Sequence, residues 1–107
     1  MNPKSIKEPI LRYLKELKPK LEKEGITEIG LFGSFAKEEA TIYSDIDIFV
    51  KTTDEFCNKY IGFAALGFLE DLRQDIAKHF NKEVDLCNIA GFNDERKAKF
   101  LKGAIYV

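Results

Sequence analysis

The sequence predicts a small α/β domain of the α+β kind, with a short mixed β-sheet and helices packed on one face. Two observations lead there. Apolar stripes at helical spacing alternate along the chain with short apolar or alternating runs, in the order α-β-α-β-α-β-α-β. The length of 107 residues suits a single core, so residues 1–107 read as one domain.

Residues 5–24 carry Ile6, Ile10, Tyr13, Leu14, Leu17 and Leu21 on one helical stripe. Pro9 suits a first turn, but Pro19 falls inside, so a kink or a fresh helix start is expected near Lys18. Lys4, Lys7, Lys15, Lys18, Lys20 and Lys23 crowd this segment and, interspersed with Glu8, Glu16, Glu22 and Glu24, read as a solvated face. Gly25 ends the helix, and Thr27 to Phe32 forms the first strand. Ser34 is placed to cap a short helix running to Glu39, Thr41 to Ser44 is a loop, and Ile46 to Lys51 is the second strand.

Thr52, Thr53 and Asp54 offer capping oxygens to a second long helical region. Its expected buried stripe is Ile61, Ala65, Phe68, Leu69, Leu72, Ile76 and Phe80, with Gly62 and Gly67 loosening the first half. Asn81 breaks it. Glu83 to Asn88 then alternates, with Val84 and Leu86 inward and Asp85 outward, as a third strand. Asp94 caps a last helix to Lys102, and Gly103 turns the chain into a terminal strand over Ala104 to Val107.

Chemistry concentrates between the first two strands, where Gly33-Ser34 is followed after ten residues by Asp45-Ile46-Asp47. Alternate strand residues share a side, so Asp45 and Asp47 present both carboxylates together. Like charges that close raise each other's pKa unless a cation sits between them, and magnesium with oxygen ligands is the natural occupant. Gly33 lets the backbone approach a phosphate closely, and Ser34 adds a hydroxyl and an N–H at a helix start. If the third strand pairs beside the second, Asp85 joins the other two aspartates. Three such carboxylates suit two magnesium ions about 3.5–4 Å apart, arranged for in-line attack on a phosphoryl group. Asp45 and Asp47 would then hold both metals, Asp85 would serve the metal beside the attacking oxygen, and Gly33 and Ser34 would bind the β- and γ-phosphates. Lys37 reads either as a further phosphate contact or as a plain surface lysine.

The rest of the composition narrows the function. Hydrophobic residues make up 45% and charged residues 33%, which fits a globular chain rather than a disordered one. A net charge of -1 offers no general attraction to nucleic acid, so direct nucleic-acid binding is not expected. Cys57 and Cys87 form no CxxC pair and stand apart from the lone His79, which argues against a disulfide framework or a zinc site. Both cysteines read as small apolar fillers, and His79 as an ordinary helix-end histidine. No apolar run approaches membrane-spanning length and the first residues lack a signal-peptide core, so a cytoplasmic location is the expectation.

Gly33-Ser34-Phe35-Ala36-Lys37 followed by Ser44-Asp45-Ile46-Asp47-Ile48 resembles the signature of the DNA polymerase β-like nucleotidyltransferase superfamily. The short length and the Leu31-Phe32 lead-in are most similar to its minimal nucleotidyltransferases, the antitoxins of HEPN/MNT toxin–antitoxin modules. That resemblance implies the polymerase β-like nucleotidyltransferase fold, a minimal nucleotidyltransferase domain over residues 1–107, and transfer of AMP from ATP with magnesium and release of pyrophosphate. It further implies that the acceptor is a tyrosine hydroxyl of a partner HEPN ribonuclease toxin, held in a hetero-oligomer. Members of the family often carry Arg-Gly or Lys-Gly after the Gly-Ser-x-Ala, where this chain has Lys37-Glu38. The substitution bears on nucleotide affinity more than on metal binding.

Size points to a partner separately, since positioning an acceptor needs more material than one nucleotide-binding unit supplies. Phe56, Tyr60, Phe63 and Phe68 read either as core or as a docking surface for a helical partner. Two other functions stay open at this point. One is a binding-only antitoxin with a vestigial site, and the other is a nucleotidyltransferase for a small molecule.

Overall fold

The computed structural model describes residues 6–107. Lys4 and the expected helix start at residue 5 lie outside the described residues. Helix α1 spans Lys7–Lys23, and Ile10, Leu14 and Leu21 bury its apolar stripe against strand β1, Ile26–Phe32. The fresh helix start expected near Lys18 does not occur: α1 runs through Pro19 unbroken. Pro19 and Lys15 are both exposed, so the carbonyl four residues back from the proline can bond to water instead.

Helix α2, Gly33–Ala36, is a single turn. Strand β2, Ile46–Thr52, follows, then α3 (Asp54–Lys59), α4 (Phe63–Phe80), β3 (Val84–Asn88), α5 (Asp94–Phe100) and β4 (Ile105–Tyr106). The second helical region is therefore two helices, parted at residues 60–62. Thr53 caps α3 through its hydroxyl, as foreseen for that stretch, while Asn93 rather than Asp94 caps α5. Gly67 sits inside α4, and Asn81 ends that helix in the left-handed conformation.

The sheet order is β3-β2-β1-β4, with β2 and β3 parallel and the other pairs antiparallel. The pairing of β3 beside β2 fulfils the condition on which Asp85 could join the site. A parallel pair needs a long crossover, and α3 with α4 supplies it. The main core lies between the sheet and helices α1 and α4, built on Ile29, Leu31, Ile46, Ile48, Val50, Leu72 and Ile76. Tyr13 of α1 stacks on His79 of α4 at 4.1 Å, so that histidine serves helix packing.

A smaller cluster covers part of the opposite face, where Phe49, Ile89 and Leu101 are buried beside Phe32, Cys87, Phe92 and Phe100. Cys87 is an apolar filler there, whereas Cys57 is exposed and fills nothing. Ile61, expected in the buried stripe, is also exposed, because the break before α4 turns it outward. Among the described residues no helix is long and apolar enough to cross a membrane.

Two polar clips hold one end of the sheet, the end away from Asp47 and Asp85. Gly25, at φ +94°, accepts at its carbonyl from both the Thr53 N–H (3.0 Å) and the Thr53 hydroxyl (2.6 Å). A Cβ on Gly25 would strike the Phe56 backbone, so the turn after α1 fits only glycine. At the other clip, Asn88 donates from Nδ2 to the buried Thr52 hydroxyl at 2.9 Å and accepts from the Thr52 N–H at 3.3 Å. Its Oδ1 also accepts from the Ala90 N–H at 3.1 Å. Asn88→Ala strands the Thr52 groups and should lower unfolding free energy by about 1–3 kcal/mol in chemical denaturation.

Candidate active site

The site forms where the C-terminal end of β1 meets the N-terminal ends of β2 and β3. The chain leaves β1 at Phe32 and turns at Gly33 with φ +72°. An L side chain is strained at that angle, and a Cβ on Gly33 would run into the Asp47 carboxylate. The glycine thus lets the elbow backbone approach a charged side chain closely. Ser34 does not cap the helix: Phe32 holds the N-cap position with no side-chain bond, and Ser34 lies in the first turn. Gly33 and Ser34 are half-buried, so the elbow keeps a solvent-facing side.

Register decides where the carboxylates go. Asp47 is the Cα partner of Asp85 across the parallel β2–β3 pair and of Phe32 across the antiparallel β1–β2 pair. Both aspartates therefore stand on the face opposite the main core, within hydrogen-bonding reach of each other. The Asp47 carboxyl is pushed up to about 6, first by burial, then by the charges of Asp85 and Asp45 and by its hydrogen bond with Asp85. Asp45 lies just before β2, exposed, and its charge still reaches Asp47. Among the described residues, no group of three His, Cys, Asp or Glu side chains is drawn together tightly enough to hold a metal ion. The structure thus brings Asp47, Asp85 and Gly33 together and leaves Asp45 standing off the pair.

Lys37 is exposed, and its aliphatic stem passes Gly103. Glu38 adopts φ +61°, the left-handed region that suits glycine, and pairs with Lys7 of α1 at 3.2 Å. The backbone shape that glycine favours is thus kept with a glutamate in place, and Glu38 leans toward α1. From α4, Arg73 wraps the β3 edge, donating to the Val84 carbonyl at 3.4 Å, and lies in the field of Asp85 while pairing with Glu70.

The sequence reading passes over a second group on the same face. Phe92, Arg96 and Phe100 recur at a spacing of four, the one signal that would have found them. The Arg96 guanidinium lies 4.0 Å over the Phe92 ring, and the Phe92 and Phe100 rings meet edge to face at 5.2 Å.

Comparison with known proteins bears on this geometry. The sequence matches the nucleotidyltransferase domain family over residues 10–107, nearly its whole length, and the chain belongs to that family. Its fold is that of the polymerase β-like nucleotidyltransferases. One similar solved structure is the toxin–antitoxin MntA–HpeT in mutant form: TM-score 0.60, 20% identity, covering 94% of this chain and 70% of that one. Another is a toxin–antitoxin with AMP-PNP: TM-score 0.57, 22% identity, covering 83% of this chain and 70% of that one. At such identities the likeness is one of fold. No curated protein matches the sequence.

Two outcomes follow from the site's electrostatics and backbone. Because Asp47 ionises less readily folded than unfolded, it favours the folded state below the ordinary carboxyl value of 3.8, and that contribution is lost as pH rises through about 6. Asp47→Asn should therefore raise Tm above about pH 6 in chelator and flatten this part of the pH profile, read by thermal melts. Glu38→Gly should stabilise the fold by about 1 kcal/mol, since relief of the left-handed backbone outweighs an exposed ion pair.

Proposed function

We propose that this chain is an antitoxin nucleotidyltransferase that transfers AMP from ATP to a tyrosine hydroxyl of a HEPN ribonuclease toxin. The observation that carries the reading is the Asp47–Asp85 pair set against the Gly33 elbow, two carboxylates held together beside a close-approaching backbone. Such a donor set fits magnesium, which is held through one or two carboxylates plus substrate phosphates rather than by a full protein cage. Asp47 and Asp85, joined by Asp45 from the loop before β2, would hold two such ions. When bound, magnesium neutralises charge on the phosphoryl oxygens and aligns the in-line displacement.

The chain's own residues do the rest. The open side of Gly33 and Ser34 would receive the β- and γ-phosphates, with Lys37 near that path. The tyrosine oxygen bonds to the α-phosphorus, the α–β bridging P–O bond breaks, and pyrophosphate leaves. Asp85, on the edge strand, would take the phenolic proton. A cytoplasmic setting goes with this reading.

An unpartnered apolar surface supports a protein acceptor. Phe56, Tyr60 and Phe68 pack into the core, but Ile61, Phe63 and Leu66 at the start of α4 are 78%, 88% and 63% exposed. Large side chains exposed side by side on a small domain mark a contact surface. The toxin is the occupant that the fold likeness favours, since both solved relatives are toxin–antitoxin structures.

The test is incubation with ATP, magnesium and a candidate HEPN ribonuclease toxin, read by intact mass. Gain of AMP on a toxin tyrosine is expected, and Asp47→Asn should slow it roughly a thousandfold. Tight binding without any mass gain would reduce the chain to a steric antitoxin, and modification of an aminoglycoside instead would make it a small-molecule enzyme. Phe63→Asp should weaken toxin binding at least tenfold without lowering Tm, because that ring is 88% exposed.

A further inference from the structure

The aromatic and basic group on the site face adjoins an open hollow of about 450 Å³ lined by Asn93, Glu95, Arg96, Lys99 and Phe100. Its position follows from a short chain of contacts. The Phe100 ring lies 4.7 Å from the Phe32 ring, and Phe32 is the cross-strand partner of Asp47. Cys87, two residues beyond Asp85 on β3, feels the Arg96 charge. The hollow is thus linked to the carboxylate pair through Phe100 and Phe32. We infer that it is the seat of the nucleoside base, taken by stacking against Arg96 and Phe100 while the triphosphate lies at the Gly33 elbow.

This inference rests on the proposed nucleotide chemistry and adds what that reading leaves open, the place and selectivity of the base. A nucleotide gripped by its phosphates puts its base one ribose from the α-phosphate, which directs it along the face toward Phe32 and Phe100. A guanidinium packed on an aromatic ring offers a flat cationic platform, and every base has a π-face to lay on it. Hydrogen-bond readout is thin here. Asn93 Oδ1 is engaged in capping, accepting from the Arg96 N–H at 2.8 Å, and Glu95 pairs with Lys99 at 3.5 Å, so the Asn93 amide N–H groups are the main edge donors. Stacking with so little edge readout is tolerant of the base, so discrimination between ATP and GTP should be within a few-fold.

Calorimetric titration of the full chain with magnesium–ATP and with magnesium–tripolyphosphate tests this directly. The wild type should bind ATP roughly tenfold more tightly than tripolyphosphate. Arg96→Ala, at an exposed position, should erase that difference while leaving tripolyphosphate affinity unchanged. Phe100→Leu should do the same. The inference is overturned if Arg96→Ala leaves ATP affinity intact, or weakens both ligands equally as a mere loss of charge. It is also overturned if Arg96→Ala acts only on the KM for the toxin, which would make the hollow an acceptor seat. Failure of tripolyphosphate to bind the wild type would remove the nucleotide reading itself, whereas normal tripolyphosphate binding with no gain for ATP would remove only the base seat.

Discussion

Parallel pairing of β2 with β3 sets Asp47 opposite Asp85, and this register is the constraint on which the site depends. Side chains alternate along a strand, so a slip of one residue would send Asp85 into the core face and bring Val84 or Leu86 to the site. The buried residues resist such a slip. Ile46, Ile48 and Val50 on β2, with Val84 on β3, are committed to the core between the sheet and its main helices. Hydrophobic burial thereby holds two like charges together, a placement that electrostatics alone would oppose. The Ile46 N–H donating to the Glu83 carbonyl at 3.0 Å starts the ladder immediately beside the acidic pair.

Much of this was legible in the sequence because it is written locally. A glycine between an apolar strand and a short helix, and aspartates alternating with isoleucines, declare both their elements and the side that each residue takes. Asp85 was legible for the same reason, as the outward member of an alternating run. Pro19 was misleading because the rule against interior proline assumes a buried or unsolvated carbonyl, and here that turn faces water. Ser34 was misleading because the helix begins at Gly33, with Phe32 in the N-cap position two residues before the serine. The division of the second helical region and the outward turn of Ile61 depend on how the crossover reaches β3, which is tertiary information.

The aromatic group beside the site was missed for a related reason. Phe92, Arg96 and Phe100 read in sequence as a short charged helix with ordinary apolar contacts. They gain meaning only because α5 folds back over the sheet face that carries the carboxylates, and nothing local to residues 92–100 announces that return. Glu38 shows the opposite case. Its departure from the family pattern is plain in the sequence, but only the backbone angle shows that the loop keeps the glycine-like shape.

The sheet order has one more consequence. Strand β3 is at the margin, bonded along one side only, yet it carries half of the charge pair. Breathing of a marginal strand separates the two carboxylates while the β1–β2 pair stays whole. Assembly of the acidic centre is therefore tied to the residence time of an edge strand, and a cation bridging Asp47 to Asp85 would act as a rivet on the fold's own border.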